Sequence, residues 1–160
     1  MSIWSRARPF LVVVSILLGL SACDSGDDGV NTPYDRPELQ ATMNHLDEQA
    51  YVIWGNSGSE WDANGWRELY PTTDEGWAKL AVAGQELVKI GQNLKGKVDA
   101  DDPRAEAWNA YAAGISEVSQ KLIIAAETQD KQATFDEGGV LYQVCKACHG
   151  TFPAPTDVEE

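Results

Sequence analysis

Three cysteines, two histidines and two methionines are all the sulfur and imidazole that the 160-residue chain carries. Three is too few, and odd, for a disulfide scaffold, so no structural disulfide is expected. A closed zinc site needs four sulfur or nitrogen donors, and the chain has one closely spaced cysteine pair. Cations are scarce too: 12 Lys and Arg against 25 Asp and Glu, a net charge of −13. So acidic a surface repels phosphate backbones and anionic headgroups and excludes nucleic acid as a partner. No apolar run reaches the roughly 20 residues that span a bilayer. Alternating apolar and polar runs of useful length are missing as well, which leaves no sheet core to build.

What is present is concentrated near the C-terminus, in Cys145-Lys146-Ala147-Cys148-His149. In an exported chain Cys-x-x-Cys-His is the attachment signature of a c-type haem. On a helix, residues three apart lie on one face, so both thiols reach one porphyrin edge as thioethers and His149 follows as the iron ligand. A dithiol redox pair or half of a zinc site is the competing reading.

The export signal is at the other end. Residues 1–22 combine basic Arg6 and Arg8 with the apolar run from Phe10 to Leu20 and close on Leu20-Ser21-Ala22-Cys23, the layout of a secretory signal. Small residues before a cysteine resemble a bacterial lipobox, which implies lipidation of Cys23 and a membrane anchor. Asp24 resembles an inner-membrane retention signal, so the expected location is the periplasmic side of the inner membrane. Cleavage leaves ten Lys and Arg against 25 Asp and Glu, a net charge of −15. Residues 23–36 are polar, acidic and rich in Gly, Asn and Pro, and read as a flexible tether.

Residues 37–152 read as one all-α domain. A first helix from Pro37 to Trp54 places Leu39, Met43, Leu46, Ala50, Ile53 and Trp54 on one stripe. Residues 56–73 form a tryptophan-bearing loop long enough to cover something. Thr72 and Glu75 offer a capping box for a second helix to about Asn93, whose Gly84 and Gly91 suggest close packing. Asp102-Pro103 reads as the start of a third helix carrying Trp108 to Ala126. A fourth begins near Thr128 or Asp130 and ends in the haem motif, with Gly138-Gly139 suggesting a bend or a close approach. Lys146 points outward, and residues 153–160 form a disordered tail.

Four amphipathic helices with Cys145-x-x-Cys148-His149 at the end of the last, followed by Phe152, resemble the class II cytochromes c, the cytochrome c-prime group. The resemblance implies a four-helix bundle with haem c attached near the C-terminus of the last helix and His149 as proximal ligand. It implies a residue of the first helix on the other haem face, methionine in low-spin members and an apolar side chain in high-spin ones. Dimerisation is frequent in the group, so a homodimer is compatible with it.

Met43 also fits from the residues alone: it lies on the inward stripe, and a thioether is a common sixth ligand of c-type haem. His45 is the alternative distal ligand, but it lies about 160° around the helix from Met43. The expected role is therefore single-electron transfer by a lipid-anchored monohaem cytochrome serving redox partners with basic patches. A five-coordinate module binding nitric oxide or carbon monoxide is the rival. A haem-dependent reductase would need a polar distal group, for which His45 is the one obvious candidate. No paired carboxylates suggest acid-base catalysis, and an enzyme is not expected.

Overall fold

A computed structural model describes residues 37–153. The signal segment 1–22, Cys23, the tether 23–36 with Arg36, and tail residues 154–160 lie outside the described residues.

The chain forms α1 (Pro37–Trp54), a hairpin of β1 (Ser59–Asp62) and β2 (Gly65–Glu68), then α2 (Asp74–Leu94), α3 (Ala105–Glu127) and α4 (Lys131–Thr151). The helices pack in a ring, α1 on α2, α2 on α3, α3 on α4 and α4 back on α1, the neighbour order that short connections impose. The α2/α3 seam is the most extensive and the α1/α4 seam the least. Their shared core includes the fully buried Ile53, Leu80, Leu87, Leu122 and Leu141, each side chain contributing roughly 1.5–3 kcal/mol by leaving water.

The first helix begins and ends where its sequence signals lie. Pro37 occupies the first turn, and the Gly55 amide donates to the Tyr51 carbonyl at 2.8 Å to close it. Leu39, Leu46, Ala50 and Ile53 are buried, with Met43 and Trp54 partly so. Two start signals shift. The cap of α2 is Thr73, whose hydroxyl accepts from the Gly76 amide at 3.1 Å, so the expected Thr72–Glu75 box is displaced by one residue. The third helix begins at Ala105 without a side-chain cap. Asp102 instead accepts from the Arg104 amide at 2.7 Å and pairs with its guanidinium at 2.9 Å, so Asp102-Pro103 forms a turn before the helix rather than its cap and first turn. That hydrogen bonding holds the Asp102 carboxyl below the usual carboxylate range. Asp130 does cap α4, accepting from the Ala133 amide at 3.0 Å.

The expectation of no strand fails at residues 59–68. Ser59 to Asp62 pair antiparallel with Gly65 to Glu68 in the register Trp61 to Trp66. The two-residue turn Ala63-Asn64 leads into Gly65 at φ +108°, and the Asn64 amide donates to Asp62 Oδ1 at 2.7 Å. Within this connection only Gly65 takes a positive φ, so the hairpin signal is a glycine following the turn rather than an Asn-Gly pair inside it. It is obscured because the apolar members of these strands, Trp61 and Trp66, face solvent.

The small residues of α2 do mark close packing. A Cβ on Gly91 would lie 2.7 Å from the Ala112 carbonyl oxygen, and one on Gly84 would lie 2.8 Å from Ile123 Cγ1. The glycine pair of α4 marks neither a close approach nor a bend: a Cβ on Gly138 would make ordinary contact at 3.5 Å with Ile53 and one on Gly139 would meet nothing within 4 Å, although Trp54 Nε1 donates to the Gly138 carbonyl at 3.0 Å. The helix runs unbroken through both.

Candidate cofactor cleft

The last two turns of α4 carry the Cys-x-x-Cys-His run and are clamped from their far side. The Phe152 amide donates to the Cys148 carbonyl at 2.8 Å, which ends the helix. Its fully buried ring stands perpendicular to Trp108, centroids 5.1 Å apart, with the Arg104 guanidinium 5.2 Å from its centroid. Such edge-to-face pairs add about 0.5–1.5 kcal/mol to the burial itself. Trp108 is fixed in turn by donating from Nε1 to the Leu94 carbonyl at 2.6 Å. The Tyr111 and Thr151 hydroxyls meet at 3.0 Å. The motif is thus tied to the end of α2 and the start of α3, leaving its other side free.

On that side lies a cleft of about 550 Å³, within the roughly 300–1,000 Å³ of small-molecule and cofactor sites. Cys145, Cys148, His149 and Lys146 line it from α4, and Gln40, Met43, Asn44, Leu46, Asp47 and Trp54 from α1. The buried Leu94, Trp108, Ala112 and Ile115 form its apolar floor, and Tyr142 of α4 also lines it. Met43 is half-buried, whereas His149 is exposed and makes no hydrogen bond to any described residue, so its ring nitrogens are available.

Both thiols sit where a negative charge is disfavoured. Burial pushes Cys145 up to about 11, with the Asp47 carboxylate acting in the same direction. Burial raises Cys148 to about 11 as well, reinforced by Cys145. Redox-active and metal-binding cysteines have depressed values because the thiolate is the reactive form, so these surroundings argue against a dithiol redox pair. Among the described residues, no three His, Cys, Asp or Glu side chains converge as metal ligands. The same surroundings suit a sulfur that carries no charge, as in a thioether. The donor set therefore fits a covalently held porphyrin: two sulfurs one turn apart, Cys148 buried and Cys145 half-buried, an adjacent free imidazole, and a thioether from α1 lining the same space.

His45 lies elsewhere. Its side chain is 45% exposed and faces Glu48 at 3.4 Å and Glu86 at 4.0 Å, outside the cleft lining. Glu86 is held below the usual carboxylate range, mainly by the hydrogen bond from Lys89, with His45 adding to it. Lys146 is exposed as expected but stands at the cleft rim. The described tryptophans divide three ways. Trp54 and Trp108 line the cleft, Trp77 is core stacked on Tyr70 at 6.4 Å, and hairpin Trp61 and Trp66 remain exposed and cover nothing there. Tyr142 and Asp47 are cleft residues that motif reading alone does not single out. Their spacing holds the signal, since Tyr142 lies three residues before Cys145 and Asp47 four after Met43, on the same helix faces.

No helix among the described residues is long and apolar enough to cross a membrane. Compared with protein-family models, with curated proteins and with solved structures, the chain matches none.

Proposed function

We propose that this chain is a monohaem c-type cytochrome that carries single electrons, with haem c held through Cys145 and Cys148, His149 as proximal ligand and Met43 as distal ligand. The observation that supports it most is the meeting of all four side chains on one 550 Å³ cleft, to which α1 contributes Met43 and not His45. When bound, the haem supplies a one-electron iron couple, and the protein tunes it through ligand identity, burial and nearby charge. The apolar floor of Leu94, Ala112 and Ile115 offers water no hydrogen-bond partner, while Asn44, Asp47 and Lys146, exposed at the lining, keep one edge polar. In the same reading Cys23 carries the lipid that holds the domain at the periplasmic face of a membrane, and exchanging it for serine releases the protein into the soluble fraction.

The test is the optical spectrum of protein matured with haem in a bacterial periplasm, with and without carbon monoxide. Wild-type protein is expected to retain colour after denaturation and acid extraction and to show a low-spin spectrum indifferent to the gas. The C145S/C148S double variant loses the retained haem; colour that survives in it refutes the attachment. Met43→Ala converts the spectrum to high-spin, and an unchanged spectrum removes Met43 from the iron. A wild-type spectrum that is already high-spin and shifts with carbon monoxide would assign the same cleft to gas binding.

A further inference from the structure

A second cavity adjoins the cleft and shares part of its wall. Trp54 and Tyr142 line the cleft and also a surface groove of about 330 Å³ bounded by Phe135, Gly138 and Gly139. The three rings meet edge to face, Tyr51 to Trp54 at 5.8 Å and Trp54 to Tyr142 at 6.1 Å. Trp54 is pinned by its bond to the Gly138 carbonyl, but its neighbours project into water: Tyr51 is 64% exposed, Phe135 52% and Tyr142 51%. Several large aromatics exposed together mark an interaction surface, and tyrosine and tryptophan are preferred interface anchors. A Cβ on Gly139 would touch nothing within 4 Å, so the groove floor has room for an incoming side chain.

We propose that this aromatic face over the α1/α4 seam is the docking surface for a redox protein whose matching patch sets lysines or arginines around an apolar residue. The inference rests on the electron-transfer reading above. Its charge argument is local: Asp47 and Glu48 of α1 and Asp136 of α4 are exposed on the helices that frame the seam. On the facing stretch of α4, Lys131 is paired with Glu68, leaving Lys146 as the other cation. Anionic surroundings of an aromatic anchor steer a basic partner and disfavour an acidic one. The site is also short-ranged, because Trp54 and Tyr142, which a partner would cover from outside, line the cofactor cleft from inside. The hairpin tryptophans are exposed too but line neither cavity.

The test follows electron transfer by stopped flow from the reduced holoprotein to a basic monohaem cytochrome with a lysine-ringed haem edge. One electron leaves this protein and reduces the ferric probe. Hexaammineruthenium(III) serves as a small acceptor that needs no docking surface. Y51K/F135K is expected to slow transfer to the basic cytochrome at least about tenfold. W61K/W66K, with the same change in net charge, stays near wild type, and neither changes the Soret spectrum. Wild-type transfer to the cytochrome also slows as salt rises. Y51K alone, at a surface position, gives a smaller fall in the same direction and guards against misfolding of the double variant. Equal rates for the seam and hairpin variants, or a larger loss in the hairpin variant, overturn the docking surface while leaving the haem reading intact. Wild-type protein without covalent haem overturns the electron-transfer reading itself, and the docking inference with it.

Discussion

The two seams of the helix ring are built on opposite principles. Between α2 and α3 the backbones approach so closely that Gly91 and Gly84 leave no room for a methyl group, and buried Ser116 and Ser119 turn their hydroxyls back onto Ala112 and Ile115 carbonyls. Between α1 and α4 the helices touch through Ile53, Trp54 and Gly138 and then diverge into a cleft lined by both. Dense packing supplies stability because each displaced atom gains dispersion contacts and leaves water. A cleft forgoes that gain locally and is maintained by packing elsewhere. The closed seam therefore stabilises the fold that holds the open one apart.

The closed seam breaks most easily at Gly91. Its added Cβ would oppose backbone atoms, the Ala112 carbonyl oxygen at 2.7 Å and the Ser116 amide nitrogen at 3.0 Å, which cannot rotate away. Gly91→Ala is expected to destabilise the domain by about 1–3 kcal/mol, outweighing the gain in helix propensity of about 1 kcal/mol. Chemical denaturation with an unchanged m-value would verify it. A neutral or stabilised variant would mean that α2 and α3 slide apart at little cost, and the contrast between the seams would fail.

A smaller effect sharpens the contrast from the open side, through pH. In the haem-free chain the folded-state values of Cys145 and Cys148 lie at about 11, above the ordinary value of 9.0. Below pH 9 both folded and unfolded thiols are protonated, and the stability linked to them is complete. Between about pH 9 and 11 the unfolded chain loses its thiol protons first, so stability falls as pH rises through that window. A thioether has no proton to lose. Denaturation midpoints measured from pH 8 to 11 are therefore expected to decline more for the haem-free chain than for C145S/C148S, and parallel declines would show that the thiols are not buried as described.

The unequal legibility of the two seams has a physical cause. Helix limits are readable because caps and 3.6-residue periodicity are local: Pro37, Gly55 and Asp130 do in the fold what their types suggest, and Thr73 displaces Thr72 by one place because either threonine can cap. Gly84 and Gly91 announce the closed seam since small residues seven apart face one way. Cys145, Cys148 and His149 stand out because Cys-x-x-Cys-His is a fixed-spacing pattern, and the fold brings all three to one cleft. The floor of the cleft is not, since Leu94, Trp108 and Ile115 look like ordinary core until α1 is seen to stand away from them. The hairpin escapes for the opposite reason, its tryptophans pointing outward where an apolar pattern is expected to point in.

The smallest effect expected is a gain, at Gly139. It lies mid-helix in α4, exposed, with nothing within 4 Å of where an added methyl group would sit, one residue from Gly138, whose added Cβ would sit in ordinary contact at 3.5 Å from Ile53 Cγ2. Replacing glycine by alanine in an open helix interior reduces the entropy lost on folding and contributes about 0.5–1 kcal/mol. Gly139→Ala should thus stabilise by that amount, the reverse in sign of Gly91→Ala although the chemical change is identical. The sign is set by whether a neighbouring helix occupies the space. The aromatic groove gives the same variant a second readout: a methyl on its floor takes up room that a docked side chain would use, so transfer to the basic cytochrome should slow slightly even as the fold gains stability. Stability and transfer rising together would mean that the floor at Gly139 is not in contact with the partner.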